Sequence, residues 1–357
     1  MNFKRMIGLI VLIGNFFMVG VNVYANDNTF SIQPILPQNQ IDKGNGYFHL
    51  KLGQGDTQVI YVDIKNNTDE KKTLRTSVES ATTNINGVVD YSKANNRKDS
   101  SLAVDLAKQV KVDSDIEMEP KSTKRIPIEV SMPNEAVDGI VAGGITFEQV
   151  NEVGEESVDS HTKVKTKFSY VIALMMQQED NIHVLPELSL EKIETKVINQ
   201  KASVTAVIRN VEPAYLNKMQ IAVSIKRQSD GKEIYKKKKE RMQFAPNSVL
   251  EYPTFIENQQ IEPGKYRYTA NIKGETNHLN AEKNQTLEWT FTEEFEINKE
   301  EAKKLSKLST NDSNNDQPTQ LLYLFIALTI LLLLIIIFYI IYRFVKNKKE
   351  NNKNKVK

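Results

Sequence analysis

Between Phe30 and Gln178 apolar residues recur with a period of two. Ile126, Ile128 and Val130 alternate with polar partners, and Leu74, Thr76 and Val78 do the same. A period of two marks strands with one buried face. Gln58–Lys65 (QVIYVDIK) departs from this, with apolar residues on both faces. The run from Val164 to Met176 starts alternating and ends wholly apolar. Turn residues fall between these runs. Asn86-Gly87 is the sharpest signal and predicts a type I′ hairpin, which needs positive φ at both central residues. Ser100–Val110 fits a helix or a strand. A polar seam at Gln177–Asn181 closes this half.

A second β-rich unit follows, with alternation over Lys201–Arg209 and Met219–Lys226. Further strands are predicted over Lys232–Lys238, Val249–Ile256, Lys265–Lys273 and Thr286–Ile297. In the last of these Leu287, Trp289 and Phe291 share a face, and Trp289 reads as core. The four lysines Lys236–Lys239 read as an edge strand guarded by charge, with an acidic-ligand patch as the other reading. The spacing predicts an all-β chain of two tandem immunoglobulin-like β-sandwich domains, at 26–178 and 179–298.

The two ends have different patterns. Residues 321–342 are uncharged and apolar, long enough to cross a bilayer as one transmembrane helix. The tail at 343–357 is basic, which keeps it cytoplasmic and puts everything before 321 outside. Residues 1–25 read as a signal peptide: Lys4 and Arg5, an apolar run, then cleavage between Ala25 and Asn26. Residues 299–320 read as a stalk opening with a short helix over Lys299–Leu308. The expected localisation is the cell membrane, single-pass, with the ectodomain in the wall space.

Composition narrows the function. The formal charge of +2 includes +2 from Lys4 and Arg5 and +6 from the tail, which leaves −6 for 26–342. An acidic exported part argues against nucleic acid as a partner. There is no cysteine, so core burial alone must hold the fold. His49, His161, His183 and His278 show no metal-ligand spacing. Asp56 and Asp63 near Gly53–Gly55 offer oxygen ligands for a calcium loop, though not at the spacing of an EF-hand. No nucleophile or phosphate motif is present. These absences lead to no expected metal, no cofactor and no enzymatic activity. A stand-alone carbohydrate-binding module is the alternative, with Tyr252, Tyr266 and Tyr268 as its candidate aromatics. A wall hydrolase is a remoter one.

Four stretches then become specific in order: Phe30–Ile41 (FSIQPILPQNQI), Ala81–Tyr91 (ATTNINGVVDY), Gly139–Phe147 (GIVAGGITF) and Phe168–Met176 (FSYVIALMM). Together with LPELSLEKIE and VTAVIRNVEPAYLNKMQIAVSI, they resemble the WxL-interacting protein family of Gram-positive bacteria. The resemblance implies a non-catalytic cell-surface scaffold or adhesin. Its implied partners are WxL-domain surface proteins, peptidoglycan and host extracellular-matrix proteins. The motif residues Asn84, Asn86, Gly87, Tyr91, Gly143 and Gly144 read as structural, as a hairpin and as a bulge or a close backbone approach, with a binding edge as the other reading.

Overall fold

The computed structural model describes residues 29–92, 97–150, 168–256, 260–276, 285–310, 323–331, 337–343 and 346. Its first half forms β1 (Phe30–Ile35), β2 (Phe48–Lys51), β3 (Thr57–Asn66), β4 (Lys72–Ser80), β5 (Thr82–Thr83), β6 (Val89–Asp90), β7 (Val110–Lys111), β8 (Asp115–Met118), β9 (Thr123–Ser131), β10 (Val141–Val150) and β11 (Ser169–Gln177). One sheet runs β1-β3-β9-β7 and a second runs β2-β11-β10-β4-β8. Among the described strands only β2 and β11 pair in parallel. Ile60, Val62 and Ile64 of β3, with Ile126, Ile128 and Val130 of β9, pack against Leu74, Ile145, Phe147, Leu174 and Met176 of the second sheet. The period of two in the sequence is this buried face.

The second half forms β12 (Leu188–Ile198), β13 (Lys201–Asn210), β14 (Leu216–Arg227), β15 (Glu233–Phe244), β16 (Ser248–Phe255), β17 (Gly264–Thr276), β18 (Thr286–Ile297) and the helix α1 (Lys299–Thr310). Its sheets are β12-β13-β16 and β15-β14-β17-β18, enclosing a core of their own. The two halves share a plan. Asn66 ends β3, is fully buried, and pairs with Phe30 at the start of β1. Asn210 ends β13, is fully buried, and pairs with Leu188 at the start of β12. Each side-chain amide donates to the carbonyls of the turns around it: Glu70 and Glu119 for Asn66, Ala214 and Ala245 for Asn210. A buried amide that satisfies this many carbonyls fixes the strand end.

Several expectations change. The type I′ turn is not at Asn86-Gly87. It joins β12 to β13 at Asn199-Gln200, where both residues have positive φ (49° and 64°). In the 84–87 turn only Gly87 has positive φ (69°), and its N–H donates to the Asn84 carbonyl at 2.8 Å. That is the pattern of a hairpin loop closed by a left-handed glycine. Ser100–Val110 is neither one helix nor one strand: a single 3-10 turn at Leu106–Lys108 leads into β7. Tyr252, Tyr266 and Tyr268 are 6 %, 1 % and 0 % exposed, so they are core residues and not a ligand platform. Trp289 is half-buried against the second core. The lysine run lies on β15, an edge strand, with Lys237 and Lys239 opposite the buried Val223 and Ile221. Charge at inward register positions of an edge strand blocks further pairing.

The helix expected at the head of the stalk is docked. Asn298 accepts from the Glu301 N–H at 2.9 Å and Glu301 accepts from the Asn298 N–H at 3.1 Å, a reciprocal cap. Ala302 and Leu305 are buried in the second core, and Ser306 bonds the Ile261 backbone in both directions. Within the expected span at 321–342, residues 323–331 and 337–342 are helical, and the remainder lies outside the described residues. Among the described residues no helix is long and apolar enough to cross a membrane. The expected signal peptide, with Ala25 and Asn26, also lies outside them, as does most of the tail.

Candidate functional site

The motif residues converge on the seam between the two sandwiches. Asn84 accepts at its side-chain oxygen from the N–H groups of Asn86 (2.9 Å) and Val88 (3.2 Å), which closes the β5–β6 loop. Asn86 is exposed, whereas Gly87 is buried. The Gly87 carbonyl accepts from the Gln243 N–H at 2.8 Å, and a Cβ at Gly87 would lie 3.0 Å from Met242 Cβ. The loop therefore sits on the end of β15. A left-handed bulge at Arg241 (φ 60°) turns that strand end just before the contact.

Gly143 and Gly144 lie on β10 with unbroken register to both neighbours, so the pair is a close approach and not a bulge. A methyl on Gly143 would overlap the Glu79 carbonyl and Leu106. A methyl on Gly144 would lie 2.6 Å from Cβ and O of Tyr91. The chain after β6 thus runs flat across β10 and delivers Tyr91 to the second unit. There its hydroxyl meets that of Tyr215 at 3.2 Å. Burial pushes both phenols up, Tyr215 most strongly, so both stay protonated. Around them pack Ala81, Ile140, Ala142 and Met175 from one unit and Ala245 from the other.

Polar contacts lock the same seam. Thr83 Oγ1 lies 2.7 Å from Ser248 Oγ and accepts from the Ala245 N–H at 3.0 Å, all buried. The Ile140 N–H donates to the Pro213 carbonyl at 2.8 Å, beside Gly139 at φ 129°. Asp99, only 1 % exposed at its side chain, accepts from Nε and Nη2 of Arg209 at 2.6 and 2.7 Å and from the Ser101 N–H at 2.8 Å. Burial would raise its pKa, but the Arg209 and Ser101 bonds outweigh that and hold it below the usual carboxylate range. Arg97 reaches Glu191 at 2.7 Å and Glu251 at 3.3 Å. Asp99, Arg209, Tyr215 and Gly139 were not singled out from sequence. Asp99 and Arg209 are 110 residues apart, so no local spacing connects them.

Two shallow clefts open along the seam. One, of about 280 Å³, is lined by Leu102, Val104, Val137, Ile140 and Pro213. The other, of about 290 Å³, is lined by Asn84, Ile85, Asp90, Arg97 and Glu251. Neither pairs a nucleophile with a base. Among the described residues no three His, Cys, Asp or Glu side chains are placed to hold a metal. Asp56 caps the Gly53 N–H and Asp63 is taken by Arg125, so the two do not form a cation loop.

Comparison with known proteins gives this seam a context. Residues 30–149 match the model of the WxL Interacting Protein peptidoglycan binding domain. Residues 159–307 match that of the WxL Interacting Protein host binding domain. The chain belongs to the WxL-interacting protein family. No curated protein matches it. Among solved structures, the class 5 fimbriae chaperone CfaA is 14 % identical, with a TM-score of 0.32 over 73 % of this chain and 98 % of that one. The CsuC-CsuE chaperone-tip adhesion subunit complex of Acinetobacter baumannii is 12 % identical, with a TM-score of 0.36 over the same shares. Likenesses this slight support no inference. In this WxL-interacting protein the second family match begins at 159, yet β11 belongs to the first sandwich, between β2 and β10. The family matches and the packed units therefore divide the chain at different places.

Proposed function

We propose that this chain is a non-catalytic surface protein that holds WxL-domain proteins and peptidoglycan together, with host extracellular-matrix proteins as further ligands. The observation that carries this reading is the pair of adjoining family matches, one for a peptidoglycan binding domain and one for a host binding domain. The seam supports it, because direct contacts hold two binding units in one orientation. The units are immunoglobulin-like sandwiches at 26–178 and 179–298, and the motif residues serve the join between them. A signal peptide cut after Ala25 exports the chain. A helix over 321–342 anchors it with the basic tail inside, and this reading rests on the apolar run and the flanking lysines.

Full-length protein in detergent, offered insoluble peptidoglycan and a purified WxL-domain protein separately, tests the reading. Co-sedimentation with the first and capture of the second are expected. Failure with either removes that ligand and the joining role; failure with both overturns the whole reading.

A further inference from the structure

The sequence run QVIYVDIK is apolar on both faces, and the second face is still open. On β3, Val59 and Tyr61 are 43 % and 41 % exposed. Among the described residues of the two sandwiches, no other pair of exposed large apolar side chains shares one strand face, and Tyr61 is the one aromatic among them. Tyr61 lies opposite Ile35 of β1 on one side and Pro127 of β9 on the other. That makes an apolar row across three strands, roughly 10 Å long at ordinary strand spacing.

Polar rows border it. Two residues along, Asp63 accepts from Nε and Nη2 of Arg125 at 2.8 and 3.0 Å. Two residues the other way, Val59 faces Glu129, which takes Lys111 at 2.6 Å. The charged pairs sit about 7 Å to either side of the Tyr61 row, and Val59 extends the apolar surface toward one of them. In these two pairs the charges offset each other.

We propose that this face, centred on Tyr61, is where the glycan strand of peptidoglycan lies; the proposal rests on the peptidoglycan-binding reading above. A pyranose ring has an apolar C–H face and a rim of hydroxyl and acetamido groups. The Ile35–Tyr61–Pro127 row matches the face, since an aromatic ring supplies large contact area at low entropic cost. The Asp63–Arg125 and Glu129–Lys111 pairs offer donors and acceptors at the rim. Small ligands select concave pockets, whereas this is the open outer face of a sheet, over which a polymer can pass. It also lies inside the stretch that matches a peptidoglycan binding domain. The outer face of the other sheet of this sandwich is occupied at Gly144 by Tyr91.

The test uses the full-length chain in detergent and two probes: intact peptidoglycan sacculi, and N-acetylglucosamine tetramer, which has no stem peptide. Tyr61→Ala is expected to weaken both by at least about tenfold, the scale of losing one aromatic anchor. Tyr61→Phe, which keeps the ring, is expected to retain most binding. Val197→Ser, on the other sandwich, serves as the unaffected control. Thermal midpoints matching the parent's establish that Tyr61→Ala is folded. Sacculus binding unchanged in Tyr61→Ala overturns this site and leaves the peptidoglycan reading standing. Parent protein that binds sacculi but not the tetramer overturns the glycan assignment. Parent protein that binds no sacculi removes the reading beneath both.

Discussion

Replacing Arg209 by alanine tests whether the seam couples the two sandwiches. The substitution removes two charge-assisted bonds to Asp99 and one to Ser100. Asp99, 1 % exposed at its side chain in the intact protein, then keeps only its Ser101 backbone and side-chain bonds. Breaking a buried ion pair from one side costs about 3–5 kcal/mol, because the remaining charge stays desolvated. Arg209 is 25 % exposed, so water can enter the space it leaves. That places the expected loss near the lower figure, about 3 kcal/mol. The cost falls on the contact between units and not on either core. Trp289 is the chain's one tryptophan and sits on β18, so its fluorescence follows the second unit, while far-ultraviolet dichroism follows both. In urea the two signals coincide for the parent protein and separate for Arg209→Ala. Adding Asp99→Asn removes the stranded charge, so the double variant loses less than the sum of the single losses. The pair also has a pH signature. Asp99 titrates lower in the fold than in the unfolded chain, so its contribution is present above about pH 4 and fades as pH falls through the folded value. Coincident transitions in Arg209→Ala, within about 0.5 kcal/mol of the parent, would refute the coupling.

Three further outcomes are expected. His49 is fully buried against Gln177 at 2.7 Å, and burial lowers its pKa. The unfolded imidazole takes up its proton below about pH 6.5, whereas the folded one resists. Stability therefore declines from there down to the folded value by up to about 1.4 kcal/mol per pH unit. His49→Leu flattens that decline in denaturation curves at pH 7.5 and 5.5; an unchanged slope rejects the assignment. Gly144→Ala drives a methyl to 2.6 Å from Tyr91 and is expected to destabilise by about 1–3 kcal/mol, read as a lower urea midpoint. A fragment cut at the family-match boundary, 30–149, lacks β11 and leaves β10 unpaired on one side. It is expected to aggregate, whereas 29–187 melts cooperatively; a cooperative transition in the shorter fragment refutes this.

Much of the fold was legible because strand periodicity depends on which residues meet water. The alternation in KRIPIEVSM appears in β9 as buried Ile126, Ile128 and Val130, and the lysine run marks an edge. Alternation gives two faces but does not say which face of a tyrosine-bearing strand is inside. In β17 Tyr266 and Tyr268 face inward, and the Tyr266 hydroxyl reaches the Glu262 carbonyl at 2.6 Å, so the ring is core with its polar end satisfied. The I′ turn at Asn199-Gln200 was missed because its usual second residue, glycine, is absent. The Asp99–Arg209 pair and the Tyr91–Tyr215 contact had no local signal, since each joins positions more than 100 residues apart.

The residues that make the family resemblance specific are mostly committed to joining the units. Asn84 closes a loop, Gly87 lets that loop meet β15, Gly144 lets the chain cross β10, and Tyr91 completes the contact. Gly87 and Gly144 admit no side chain, and Asn84 and Tyr91 need a short acceptor and a buried ring with a hydroxyl, so each role narrows the choice sharply. A flat binding face makes no such demand. Tyr61 can be any flat apolar side chain without harm to the strand, so its role leaves only a weak trace in the pattern: a strand apolar on its solvent side. The two kinds of position separate by experiment. Seam variants change how the sandwiches unfold together, and variants of the Tyr61 face change retention on the wall while the melting curve stays where it was.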